Sequence, residues 1–122
     1  LLPCEQLFTS ESPLTYLGCK PAPSAFYSRM QTLALRSIEA LNNATNSRAR
    51  GWVGVDMILG SHDDGRDDQV LEINPRFTTS YVGLSRGQQD GLLGPLLNHI
   101  RGNRNFIASW NEEACEFSFV PK

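Results

Sequence analysis

Apolar and polar positions along this chain follow two rhythms, one of period 3.6 and one of period two. Phe26, Met30, Leu33, Ala34, Ile38 and Leu41 recur at intervals of three and four, with Arg29, Arg36 and Glu39 largely on other faces. That spacing predicts an amphipathic helix of about six turns whose apolar stripe packs on a sheet. Ser24 stands where an N-cap would accept a bond from first-turn amides. The pattern breaks down in Asn42-Asn43 and ends by Ser47-Arg48. The period-two stretch is Gln69 to Arg76, and Trp52 to Leu59 is rich in bulky and β-branched residues. Both predict strands, the former because side chains in a strand alternate faces.

The flanking sequence is less regular. Leu1 to Phe8 reads as an incoming strand with Leu2, Cys4, Gln6 and Phe8 on one face, followed by a turn-like Thr9 to Thr15. Tyr16 to Lys20 reads as a short strand or loop that ends at Pro21-Ala22-Pro23. Tyr81 to Leu84 starts a short helix or turn. Gly91 to Ile100 is a helix entered through Gly94-Pro95 or interrupted there. Asn105 to Trp110 and Ala114 to Val120 read as two short strands around the polar turn Asn111-Glu112-Glu113, with Phe117 and Phe119 on a buried face. The predicted fold is therefore α+β, a single domain over residues 1–122, with an antiparallel sheet packed on one long helix and a shorter helix and hairpin at the tail.

Polar residues inside the two central strands change this picture. Asp56 lies in the middle of the first, while Glu72, Asn74 and Arg76 alternate with Leu71 and Ile73 in the second. Between them Asp64-Gly65 is a strong hairpin signal, since Gly accepts φ > 0 without steric penalty. Centring the hairpin there sets Asp56 opposite Ile73; a shift of one residue in so long a loop sets it across from Glu72 or Asn74. In each register two carboxylates and an amide oxygen come close together on a rigid sheet, a donor set that suits a hard cation such as Mg²⁺. Such a cluster is costly to bury unless something pairs with it. Thr78, Thr79, Ser80 and Tyr81 follow directly as hydroxyl-bearing candidates.

Composition narrows the function classes. With 122 residues, 40% hydrophobic, 20% charged and a net charge of −2, the chain has one core and no basic excess to recruit nucleic acid or an anionic membrane. No apolar run approaches the ~20 residues of a membrane span. Leu1-Leu2-Pro3-Cys4 has neither Met nor a charged signal region, so the chain reads as a fragment of a longer cytoplasmic protein. Cys4, Cys19 and Cys115 are odd in number and unclustered, which predicts free thiols rather than a disulfide framework or zinc site. His62 and His99 lack partners at ligand spacing, Lys20 reads as a surface lysine, and Arg48 and Arg50 as exposed residues ahead of a strand.

Asp56 on one strand, then Glu72-Ile73-Asn74-Pro75-Arg76 on the next, resembles the metal-binding half of an ATP-grasp ligase. The resemblance implies the C-terminal portion of an ATP-grasp domain, with Asp56, Glu72 and Asn74 as metal ligands. Glu72, Asn74, Thr78, Thr79 and Ser80 would face nucleotide or substrate, and Arg76 the transferred phosphate or acyl-phosphate. It implies ATP and Mg²⁺ (or Mn²⁺) as cofactors, a small carboxylate and an amine as substrates, and an N-terminal ATP-grasp region of the same protein carrying the nucleotide-clamping lysines. The implied activity is ATP-dependent carboxylate–amine ligation in the intact parent, with the fragment silent alone. The wording E-I-N-P-R-F-T-T-S-Y-V-G-L is most similar to a smaller group that includes tyramine–glutamate ligase and relatives linked to tetrahydromethanopterin metabolism. One departure is Gly54, where D-alanine-ligase-type members often carry Arg. The rival readings are a degenerate ATP-grasp module that binds nucleotide or a partner without ligating, and a metal phosphoesterase on another fold.

Overall fold

The computed structural model of the chain describes residues 1–88, 91–102 and 110–118. Its elements run β1 (Cys4–Phe8), β2 (Tyr16–Pro21), a 3-10 turn (Ser24–Phe26), α1 (Tyr27–Thr45), β3 (Gly54–Ile58), β4 (Gln69–Asn74), α2 (Ser80–Gly87), α3 (Leu93–Ile100), α4 (Glu112–Cys115) and β5 (Phe117–Ser118). The class is the expected α+β with antiparallel pairing, divided between a three-stranded sheet β1-β2-β5 and a two-stranded sheet β3-β4. The chain forms two compact units. One comprises Leu1–Pro23 with the residues from Thr79 onward, the other Ser24–Thr78.

In the first unit, Glu5 and Lys20 are paired across β1 and β2 and form an exposed ion pair at 3.4 Å, which gives Lys20 a structural occupation. Cys4 and Cys19 lie on the opposite face, and Cys19 is 1% exposed. Leu2, Ala22, Leu84, Leu92, Cys115 and Phe117 are buried as well, so the described apolar core belongs to this unit. The three cysteines are free thiols, as expected. Gly18 is required where it stands: its φ is +149°, and a Cβ there would come within 2.0 Å of the Phe117 carbonyl oxygen on β5.

The tail departs from the expected hairpin. Ala114 and Cys115 belong to α4, capped by Asn111, whose side chain accepts from the Ala114 amide at 3.3 Å. Strand structure begins only at Phe117. The predicted strand from Asn105 lies almost wholly outside the described residues, as does the end of the strand predicted to reach Val120. Among the described residues no helix is long and apolar enough to cross a membrane.

In the second unit α1 lies against β4, and its half-buried positions include Met30, Leu33, Ala34 and Ile38. The helix starts later than expected. Ser24 opens the 3-10 turn instead of capping α1, and Phe26 occupies the cap position without a side-chain bond. The end is as predicted, with Asn46 in the left-handed region (φ 49°) donating its amide to the Asn42 carbonyl.

An ion pair that the hydrophobic pattern did not reveal ties α1 to the base of the β3–β4 turn. The Arg29 guanidinium grips both oxygens of Asp68, and its Nη2 also donates to the Gly60 carbonyl at 2.9 Å. Asp68 Oδ1 in turn accepts from the Gly60 amide at 2.9 Å. The two side chains are 17% and 5% exposed. Arg29 beside it holds the Asp68 carboxyl below its ordinary 3.8, with the Gly60 amide acting in the same direction. A depressed folded-state pKa means that the contribution to stability is fully present above 3.8 and is lost as pH falls through the lower folded value. Arg29, whose own pKa the Asp68 contact pushes further up, adds nothing titratable in that window. Amide exchange at Gly60 should therefore accelerate below pH 3.8 relative to its intrinsic rate, and Asp68→Asn should abolish that acid-dependent step. An unchanged step in the variant would refute the assignment.

Candidate functional site

The β3–β4 hairpin resolves the open register. Gly54 pairs with Asn74, Val55 with Ile73, and Asp56 with Glu72. Beyond Asp56 the register shifts, so that Met57 pairs with Val70 and Leu71 is left as an extra residue. This β-bulge changes the parity of the strand. Cross-strand partners share a face, so Asp56, Glu72 and Asn74 stand together on one side. Val55, Met57, Val70 and Ile73, all half-buried, fall on the other. Leu71, expected beside Ile73, is instead 61% exposed, because the bulge removes it from the alternation.

Asn74 is the best-anchored member of the set. It is 5% exposed, and its Nδ2 donates to Asp56 Oδ2 at 3.2 Å. That bond holds the two side chains in register and leaves the amide oxygen outside the contact. Asp56 is half-buried, while Glu72 is exposed. Oxygen donors of this type fit Mg²⁺ or Mn²⁺. Among the described residues no group of three or more His, Cys, Asp and Glu is arranged to hold a metal ion. The set here consists of two carboxylates and an amide, the composition expected when phosphate or solvent oxygens complete the shell.

Arg76 departs from the expected geometry. The strand ends at Asn74, Pro75 follows, and the Arg76 amide folds back onto the Asn74 carbonyl at 2.8 Å. The tight turn takes Arg76 out of the alternation that would have aligned it with Glu72 and Asn74. Its exposed guanidinium donates to the neighbouring Phe77 carbonyl at 3.3 Å.

Thr78 reaches back to the site face. A Cβ on Gly54 would meet Thr78 Cγ2 at 2.5 Å, so the threonine methyl occupies the space that a side chain at position 54 would need. Its Oγ1 accepts from the Trp52 indole N–H at 3.4 Å, and the Trp52 ring lies 5.6 Å from that of Phe77. The Gly54 departure noted above thus has a local cause. Trp52 was not singled out by sequence because only the fold brings it to residue 78. Thr79 and Ser80 belong to the other unit, Thr79 just ahead of α2 and Ser80 as its first residue.

A family model described as the ATP-grasp domain matches residues 1–80, more than half of the chain and inclusive of all the candidate residues except Tyr81. No curated protein and no solved structure matches the chain.

Proposed function

The chain belongs to the ATP-grasp domain family, and from that premise we propose that it carries the metal- and phosphate-facing part of an ATP-dependent carboxylate–amine ligase. The observation that supports this reading most directly is Asp56 set opposite Glu72 with Asn74 bonded to Asp56. Asp56, Glu72 and Asn74 would hold Mg²⁺, which when bound neutralises charge on the β- and γ-phosphates of ATP.

The side chains have distinct tasks in this reading. Asn74 fixes the rotamer of Asp56 through its amide and keeps its own oxygen for a ligand. Arg76 exchanges an exposed bond to a carbonyl for the stronger, charge-assisted bonds that a guanidinium makes to phosphate oxygens. The reaction begins when the acid substrate's carboxylate oxygen bonds to the γ-phosphorus and ADP leaves. The amine nitrogen then bonds to the acyl carbon, phosphate leaves and the nitrogen gives up a proton to solvent, giving the amide. Catalysis of this kind is mainly positioning and charge stabilisation. At the level of substrate, the E-I-N-P-R-F-T-T-S-Y wording supports a place in the group containing tyramine–glutamate ligase. The nucleotide-clamping lysines come, in this reading, from the N-terminal ATP-grasp region of the same protein.

Titration of the isotope-labelled chain with Mn²⁺ in the presence of ATP tests the metal assignment. Paramagnetic broadening should centre on Asp56, Glu72 and Asn74. Broadening centred on another acidic cluster, such as the turn from Asp63 to Asp68, with those three resonances sharp, would overturn it.

A further inference from the structure

Tyr16 opens β2, and a second β-bulge decides where it points. Leu7 pairs with Gly18 but Phe8 pairs with Tyr16, leaving Leu17 as the extra residue. Without the bulge, Tyr16 and Cys19 would face opposite sides of the sheet. With it they share one, and Phe8 packs edge-on against the Tyr16 ring at 5.7 Å. The re-aimed phenol meets Thr79, whose Oγ1 donates to the Tyr16 oxygen at 3.0 Å.

The state of Thr79 is the second observation. It sits at the residue before α2, where threonine commonly accepts from a first-turn amide. Here its backbone is already helical (φ −60°, ψ −28°) and its side chain makes no cap bond. An exposed threonine with no capping duty has no local reason to hold one rotamer, yet its hydroxyl is committed to a partner 63 residues away.

We propose that Tyr16 is a positioning residue that fixes the Thr79 hydroxyl in the loop following the E-I-N-P-R segment. The inference rests on the ligase reading for its purpose, since that reading makes this loop part of the substrate site. The direction of that bond specifies what Thr79 offers. With its proton given to Tyr16, Oγ1 meets a substrate as an acceptor, which suits an amine N–H and does not suit a phosphate oxygen. Thr79 is therefore assigned to an amine substrate.

The test uses three variants of the labelled chain: Tyr16→Phe, Thr79→Ala and Thr79→Ser. Side-chain couplings should show a single Thr79 rotamer in the wild type and rotamer averaging in Tyr16→Phe. The Tyr16 phenol is already raised by burial, and the bond from Thr79 holds it back. Its titration should therefore move upward in Thr79→Ala and return in Thr79→Ser, a rescue that packing alone would not produce. An averaged Thr79 in the wild type, an unmoved phenol in Thr79→Ala, or a saturable shift of Thr79 by inorganic phosphate would each overturn the inference. The Mn²⁺ experiment on the same wild-type sample separates the two ideas. Broadening at Asp56, Glu72 and Asn74 without the Tyr16 effects rejects Tyr16 and spares the ligase reading. The converse supports the hold on Thr79 and rejects the metal assignment.

Discussion

On the ligase reading proposed above, Glu72→Gln should lower ATP-dependent ADP release at least ~100-fold, the scale set by removing one preorganised charge-stabilising group. Glutamine keeps the size of the side chain and one oxygen but removes the charge that faces Asp56 across the hairpin. Position 72 is exposed, so the substitution leaves no buried group unsatisfied and the fold should be unaffected. The loss should appear in turnover, with an unchanged melting temperature as the control. Asn74→Ala serves as a harsher companion, since it also removes the anchor of Asp56 and is 5% exposed. Retention of wild-type ADP release by Glu72→Gln would refute the assignment of that carboxylate.

A large loss of stability is expected from Gly83→Ala. In an exposed helix, alanine would be favoured over glycine by about 1 kcal/mol. Here the sign reverses, because a Cβ at position 83 would lie 2.1 Å from the Cys115 carbonyl oxygen and 2.9 Å from the Phe117 ring. Gly87, one turn on, meets the Cys115 sulfur at 1.9 Å in the same construction. The pair forms a flat strip on α2 against which α4 seats directly. Forcing a methyl into so close a contact typically costs about 1–3 kcal/mol, and a backbone oxygen as the obstacle puts the case at the upper end. For a chain of this size that corresponds to a fall in melting temperature of roughly 10 °C. A variant as stable as the parent would show that α4 is free to move away from α2.

How much of this was legible in the sequence depends on the range of the interactions involved. The long helix and the strand from Gln69 follow from periodicity, and the strand from Trp52 from its bulky and β-branched residues, because each signal is local. In the tail, the alternation of Phe117 and Phe119 with Glu116 and Ser118 predicts a strand, and extending it back to Ala114 overlooks the helical turn that holds Ala114 and Cys115. The decisive signal was Asn111 followed by two glutamates, a helix N-terminus. Ser24 was assigned as a cap on composition alone, and the 3-10 turn displaced it.

The candidate site shows the same division. Its residues could be named from their alternation, and the facing of Asp56 with Glu72 was among the registers left open. Periodicity could not choose between them, since the choice depends on an extra residue at Leu71 that no local propensity marks. The same strand logic aligned Arg76 with the acids, and Pro75 with its tight turn broke it. The Arg29–Asp68 and Tyr16–Thr79 contacts span 39 and 63 residues and carry no local signature at all.

The extra residue at Leu71 makes the hairpin tolerant of change at that one place. Its side chain is largely in solvent and faces no cross-strand partner, so nearly any amino acid can stand there without disturbing the acids on one face or the apolar row on the other. Even loss of the position would keep the two faces apart. Without Leu71, Val70 would adjoin Glu72, and plain alternation would leave Val70 against Met57 and Glu72 against Asp56 on the faces they already occupy. What would go is the local kink of the bulge, so Leu71 is a spacer, and the site depends on which residues face each other and not on the number between them.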